Sequence, residues 1–303
     1  MKHISFTSAH VGMLAWAVLI AASFFAAAQV GQSVDPILLT ALRLLLSALL
    51  FLPMLLWQGA ARLTWRATAS HGVLGLLLAV YFGTLFEALR YASAANTGTL
   101  FTLVPLLTLL CEVLLIPGTH ARRRLVPMLV AALGAVLLIL KGGGPGQWPS
   151  LYPVLVYGAG CLAMALYSPL SQRFKAGALQ GRGPVAMTFW NMLFGALFLF
   201  ALCLQNGGWR SATQLTLGDG LWLLYLALFA TLGTFWLLHR AIGVIAPATV
   251  ISYIYLSTLL LTLFNWLRLQ QAPLPLEWLG AVLVGAGMLA LVMASRRTVA
   301  VSL

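Results

Sequence analysis

Ten apolar runs of roughly 20 residues, separated by short segments that hold charge, Gly and Pro, constrain this chain more than any other feature. They fall at 9–30, 36–57, 71–91, 95–116, 125–141, 151–172, 185–205, 219–240, 246–267 and 275–295. A helix rises ~1.5 Å per residue, so about 20 apolar residues cross the hydrocarbon layer of a bilayer and each run is long enough to span. The runs are rich in Leu and Ala and lack the polar alternation of barrel strands, so helices are predicted, which satisfy their own backbone hydrogen bonds in lipid. With 62% apolar and 7% charged residues in 303, a water-soluble globule would expose a very large greasy surface, and the spans leave no room for a soluble domain. The predicted fold class is an all-α integral membrane protein of ten transmembrane helices.

The formal charge of +12 does not point to nucleic acid, because the basic residues are dispersed through the short connections without an aromatic-basic surface motif. They report orientation instead. With a cytoplasmic amino terminus, the inside segments carry Lys2, Arg62, Arg66, Arg122, Arg123, Arg124, Arg173, Lys175, Arg182, Arg240, Arg296 and Arg297. The outside segments carry Arg90, Lys141, Arg210 and Arg268, and Arg43 lies within a span. Twelve against four is a positive-inside bias that places both termini in the cytoplasm, in the inner membrane of a bacterium. Ala26-Ala27-Ala28 after the first apolar run resembles a signal-peptide cleavage site, but the repeat that includes this run argues for its retention. Cys111, Cys161 and Cys203 lie in apolar runs at unrelated spacings, so they read as small apolar fillers, and neither a disulfide framework nor a metal site is predicted.

The chain repeats itself. Gly12-Met13-Leu14-Ala15-Trp16-Ala17 and Gly160-Cys161-Leu162-Ala163-Met164-Ala165 share a G-x-L-A-x-A pattern at an offset of 148 residues. The same offset matches Pro36 with Pro184 and sets Arg43 opposite Asn191, while Arg90 answers Arg240 at an offset of 150. Leu133 to Leu137 and Leu279 to Leu283 both read LGAVL. Residues 1–145 and 146–303 are therefore expected to form two five-helix repeats, and an odd helix number inverts the second copy. Inverted repeats are characteristic of secondary transporters that bind a solute at mid-membrane and work by alternating access.

The ten spans, the paired halves and several local strings resemble the EamA family of the drug/metabolite transporter superfamily. Asp35-Pro36 with Ala41-Leu42-Arg43 is similar to that family's second-helix start, Ala88-Leu89-Arg90-Tyr91-Ala92-Ser93-Ala94 to its link between helices three and four, and Pro105 to a proline common in its fourth helix. Tyr255-Leu256 replaces the family's glutamate-proline pair in the ninth span, and the glycine-glutamate ending of spans four and nine is absent or altered. The resemblance implies a carrier, often an exporter, of amino acids, related metabolites or drugs.

Charge within a membrane costs a few kcal/mol, which singles out Arg43, Glu87 and Glu112. Arg43 lies about seven residues into span two and Glu87 near the same side of span three, so their depths allow a pair. Two readings stand: Arg43 attracts a substrate carboxylate or is released from Glu87 during the cycle, or the two form a permanent structural pair. Glu112, near His120 and the Arg122–Arg124 run, reads as an anchor. His239 beside Arg240 reads as a boundary histidine, with a proton relay as the alternative. Aromatic residues near mid-span, Trp16, Tyr81, Tyr167, Trp190, Tyr253 and Tyr255, could pack against a cargo while their polar tips orient it; belt or packing roles compete with that reading. Asn191 completes the candidate substrate set, on the side of a shared cavity opposite Arg43.

Pro53, Pro105 and Pro169 are expected to interrupt their helices, Gly280, Gly285 and Gly287 to allow close packing, and the GGGPG run from Gly142 to Gly146 to link the halves outside. That run lacks the Lys and Ser/Thr of a phosphate loop. An enzyme is not expected, since there is no paired-histidine motif, no acid cluster and only five acidic residues. No cofactor is predicted. The expected partners are the lipid bilayer and a small-molecule substrate: an amino-acid-like metabolite to be exported, or alternatively a drug-like cation or an amino-acid-derived metal chelator.

Overall fold

The computed structural model describes residues 5–27, 29, 33–59, 62–92, 94–117, 121–142, 151–242, 244–270 and 272–301. Of the features singled out above, Lys2, Ala28, Ser93, His120 and the linker from residue 143 onward lie outside these residues. Among the described residues, ten helices are long and apolar enough to cross a membrane. Eight run unbroken: α1 (Phe6–Ala27), α2 (Pro36–Trp57), α3 (Trp65–Leu89), α5 (Ala121–Gly142), α6 (Leu151–Lys175), α7 (Pro184–Gln205), α9 (Pro247–Leu269) and α10 (Pro275–Val301). Span α4 is divided into Ala94–Phe101 and Val104–Leu115. Span α8 has three segments, α-helical over Leu217–Tyr225, π-helical over Leu226–Gly233 and α-helical over Thr234–Ala241.

The helix starts follow from local chemistry. Pro36, Pro184, Pro247 and Pro275 stand at first helical positions, where a missing N–H costs nothing. The Asp35 carboxylate accepts from the Ile37 and Leu38 amides at 2.9 and 3.0 Å, capping α2. Thr64 caps α3 through the Ala67 amide, so the helix begins at Trp65, six residues before the apolar run that announced it. Thr216 and Asp219 cap α8 reciprocally. A polar first turn is invisible to a search for apolar runs, which is why α1 and α3 start earlier than expected.

Pro105 has no amide to offer the Phe101 carbonyl, and α4 breaks at Thr102–Leu103 just before it. The Tyr255 hydroxyl donates to the Thr102 carbonyl at 3.0 Å, so the break is sealed from α9. Pro53 and Pro169, expected to interrupt their helices, instead sit inside continuous α2 and α6.

The packing repeats the two-fold order of the sequence. Three contacts join counterpart helices: α2 with α7, α4 with α9, and α5 with α10. Others come in exchanged pairs, α3 on α6 answered by α8 on α1, α3 on α7 by α8 on α2, and α4 on α6 by α9 on α1. The fold is thus ten membrane helices in two five-helix repeats, the second inverted relative to the first. Both ends of the described chain then lie at one face of the bundle, called the terminal face below. Trp57 and Trp65 stand exposed at the ends of α2 and α3, in the position of an interfacial aromatic belt, while Leu114, Leu155 and Val282 project outward as a lipid-facing surface requires.

Candidate functional site

The polar interior falls into separate groups. Arg43, about two turns into α2, does not pair with Glu87. Its guanidinium donates through Nη2 to the Ala230 carbonyl at 2.9 Å and through Nε to the Thr231 hydroxyl. Both acceptors lie in the π-helical turn of α8, where the altered repeat re-aims backbone carbonyls. One turn further along α2, Ser47 donates to the Ala227 carbonyl at 2.9 Å and to the Arg43 carbonyl at 2.7 Å. The π turn is therefore the dock for a polar edge of α2. Among the described residues, no carboxylate reaches the Arg43 guanidinium.

Glu87 is engaged elsewhere, at the face opposite the termini. Its carboxylate meets Arg90 at 3.4 Å and accepts from the Tyr152 hydroxyl at 3.1 Å. These groups are solvent-exposed or partly so, and such a pair contributes little to stability.

A second group lies toward the terminal face and is wholly buried. The Asn191 side chain on α7 faces three helices at once. Its Oδ1 is 2.7 Å from Nδ1 of His71 on α3, and its Nδ2 donates to the Tyr167 hydroxyl on α6 at 2.8 Å and toward Nε2 of His239 on α8 at 3.3 Å. Tyr167 closes the network at 2.9 Å from His239 Nε2. Lys175 donates to the carbonyls of His239 and Ile242 at 3.1 and 3.3 Å, pinning the end of α8. His71, Tyr167, Asn191 and His239 are each 0% exposed, and among the described residues His71 Nε2 and His239 Nδ1 have no hydrogen-bond partner. Arg182, in the connection between α6 and α7, donates to the Arg62 carbonyl at 2.6 Å, and partial burial draws its guanidinium below its ordinary pKa.

His239 is thus a buried network residue rather than the boundary histidine expected. His71 escaped the sequence reading altogether because the apolar run was taken to begin at it. The available signal was a histidine directly after Ser70, about two helical turns inside a Thr cap. Arg43 and Asn191, related by the repeat, both reach α8 but at different turns of it, and they share no partner residue.

The remaining candidates are dispersed. Tyr81 stacks with Phe82, Phe101 and Tyr157 at centroid distances of 4.9, 5.8 and 6.3 Å. Trp190 sits 6.5 Å from the His71 ring and edge-on to Phe189. Tyr253 bonds His10 of α1 at 2.6 Å, and Tyr255 holds the α4 break, so two residues two apart on α9 tie it to opposite neighbours. Trp16 is buried in the apolar core.

Glu112 has the anchoring role expected of it. Its carboxylate is gripped by both terminal nitrogens of Arg124 at 3.0 and 2.6 Å, and it accepts from the Ala248 amide at 2.9 Å. One carboxylate thereby joins the end of α4, the start of α5 and the amino-terminal turn of α9, whose dipole favours a negative group.

Comparison with known proteins accounts for this architecture. The model of the EamA-like transporter family matches residues 7–140 and again 152–293. An uncharacterized transporter of Bacillus subtilis (strain 168), YyaM, is 25% identical over 252 residues, spanning 78% of this chain and 77% of that protein. A solved crystal structure superposes with a TM-score of 0.79 over 97% of this chain and 99% of the other, at 22% identity, a likeness of fold.

Proposed function

The chain belongs to the EamA-like transporter family, and from that premise we propose that it exports a small amino-acid-like metabolite with a free carboxylate by alternating access. It is a multi-pass membrane transporter. The observation that carries the cargo reading is Arg43. A guanidinium within a membrane span, held among the described residues by a carbonyl and a hydroxyl and by no carboxylate, keeps a positive charge for which a substrate carboxylate can supply the partner.

The two units are residues 1–145 and 146–303, rocking against each other. The terminal face is cytoplasmic, following the twelve-to-four basic bias, and the membrane is the bacterial inner membrane. In this reading the α2–α8 dock and the Asn191 network lie toward opposite faces, so each is made or broken as access alternates. Trp16, Tyr81, Tyr167, Trp190, Asn191, Tyr253, Tyr255 and Glu87 are the further candidate contacts. A second reading, a cationic cargo, draws support from the ring cluster of Tyr81, Phe82, Phe101 and Tyr157, whose faces attract cations.

The test is a comparison of intracellular and extracellular metabolites between cells lacking and cells overproducing the protein. Export of an amino-acid-like compound predicts its retention in the first and its enrichment in the medium of the second. Identical carboxylate pools, with a changed pool of an organic cation, would replace the first reading by the second.

A further inference from the structure

We propose that His71 is a proton-binding site that couples transport to the proton gradient, an inference that rests on the transporter reading above. The direction of each hydrogen bond in the buried network carries it. Asn191 Oδ1 can only accept, so His71 Nδ1 donates to it across 2.7 Å. Asn191 Nδ2 can only donate, and it sends its hydrogens to the Tyr167 hydroxyl and His239 Nε2. Tyr167, already accepting, directs its own hydrogen to His239 Nε2 at 2.9 Å. The chain therefore runs one way, from His71 through Asn191 and Tyr167 to His239.

That order distinguishes the two histidines. His239 Nε2 is held as an acceptor by two donors, so a proton there would break both bonds, and Nδ1 already bears the hydrogen of this tautomer. His71 Nε2 is buried, without a partner among the described residues and a lone-pair nitrogen, so a proton adds there without disturbing any bond in the network. The step is reversible and balanced: the lone pair takes one proton, the ring becomes an imidazolium, and the same proton is later released.

The surroundings connect that charge to movement. Toward His71 the neighbouring elements bring Asn191 and Trp190 from α7, Arg182 from the α6–α7 connection and His239 from α8, with Tyr167 and Lys175 of α6 set against His239. On its own helix Arg66 lies five residues before it, and residues 44–57 of α2 hold no titratable group. A proton on His71 thus adds positive charge on the side of Arg182, at the point where one amide ties α3, α6, α7 and α8 together. Loading the site favours separation of those helices, and unloading restores the tie.

The first measurement reads the site without any cargo. In liposomes, ¹⁵N-histidine solid-state NMR of the full-length wild type, assigned by single substitutions of the other four histidines, should show His71 Nε2 gaining a proton as the pH falls from 8 to 4 while Nδ1 stays protonated. A His71 ring that stays neutral throughout overturns the proposal. The second uses a mixture of ¹⁴C-labelled common amino acids in proteoliposomes with a pH gradient of one unit. One-for-one exchange drives accumulation of about tenfold in the wild type, collapsing toward one in H71Q. Wild-type accumulation indifferent to the gradient also overturns it. If the wild type moves no amino acid at any pH, the cargo reading fails, and the NMR titration alone decides His71.

Discussion

Gly134 of α5 and Gly280 of α10 lie back to back: a Cβ on Gly134 would stand 2.6 Å from the Gly280 carbonyl oxygen, and one on Gly280 would stand 2.9 Å from the Gly134 carbonyl oxygen. Each is the second residue of an LGAVL string, one string per half, so this contact maps onto itself when the halves are exchanged. Helices surrounded by lipid gain little from burying apolar surface, and close backbone approach between small residues supplies the packing instead.

A methyl group at this seam should therefore be costly. G134A and G287A each press a Cβ onto partner backbone within 3.0 Å, whereas G285A meets nothing within 4 Å. Overpacking of this kind costs about 1–3 kcal/mol. Thermal unfolding in detergent should rank G134A and G287A well below wild type and leave G285A near it. Equal melting temperatures for all three would remove the seam from the account.

The Glu112–Arg124 pair should behave as a buried charge couple. E112Q leaves the Arg124 guanidinium without its counter-ion, and breaking one side of such a pair costs about 3–5 kcal/mol. The double variant E112M/R124L removes both charges and should recover part of that loss, though not all, because the Ala248 amide loses its acceptor. The comparison is read from melting temperatures of the three purified proteins.

Within the buried network, N191A should destabilise more than Y167F. The first strands the His71 Nδ1 donor and takes away the hydrogen the Tyr167 hydroxyl accepts, leaving only the Tyr167–His239 bond, and an unsatisfied buried group costs about 1–3 kcal/mol. The second leaves His239 Nε2 its bond from Asn191. Denaturation midpoints in a mixed-micelle series give the order directly.

Much of the fold was legible because lipid imposes it. Ten apolar runs are a strong signal, and the G-x-L-A-x-A and LGAVL pairs exposed the repeat whose helices pack as counterparts. The G-x-L-A-x-A glycines also play matching parts, Gly12 approaching Leu237 of α8 and Gly160 approaching Thr84 of α3. Anchoring by Glu112 was readable from a carboxylate beside a run of arginines, although only the fold selects Arg124. The partner of Arg43 was not readable. Depth alone suggested Glu87, while the actual dock depends on a π turn over Leu226–Gly233 that apolar composition cannot announce. His71 was hidden for a related reason: a polar first turn placed it inside α3 although the apolar run began with it. Among the prolines, Pro105 broke its helix and Pro53 and Pro169 did not, a difference that residue type alone does not announce.

The guanidinium of Arg43 should matter by geometry as well as charge. R43K keeps the charge but cannot address the Ala230 carbonyl and Thr231 hydroxyl with a planar fork, so it should restore only part of the carboxylate flux lost in R43A. A charge-assisted hydrogen bond is worth about 1.5–3 kcal/mol, which corresponds to about ten- to hundredfold in R43A. Initial rates of labelled amino-acid uptake into vesicles made with each variant measure it.

Counterflow in proteoliposomes tests the central claim most directly. Vesicles holding wild-type protein and an excess of unlabelled amino acids should transiently concentrate external ¹⁴C-labelled amino acids, and R43A should abolish that overshoot while amino-acid amides compete poorly in the wild type. An overshoot of the same size with R43A, or amides competing as well as the free carboxylates, would contradict an arginine that recognises a carboxylate cargo in a two-repeat carrier.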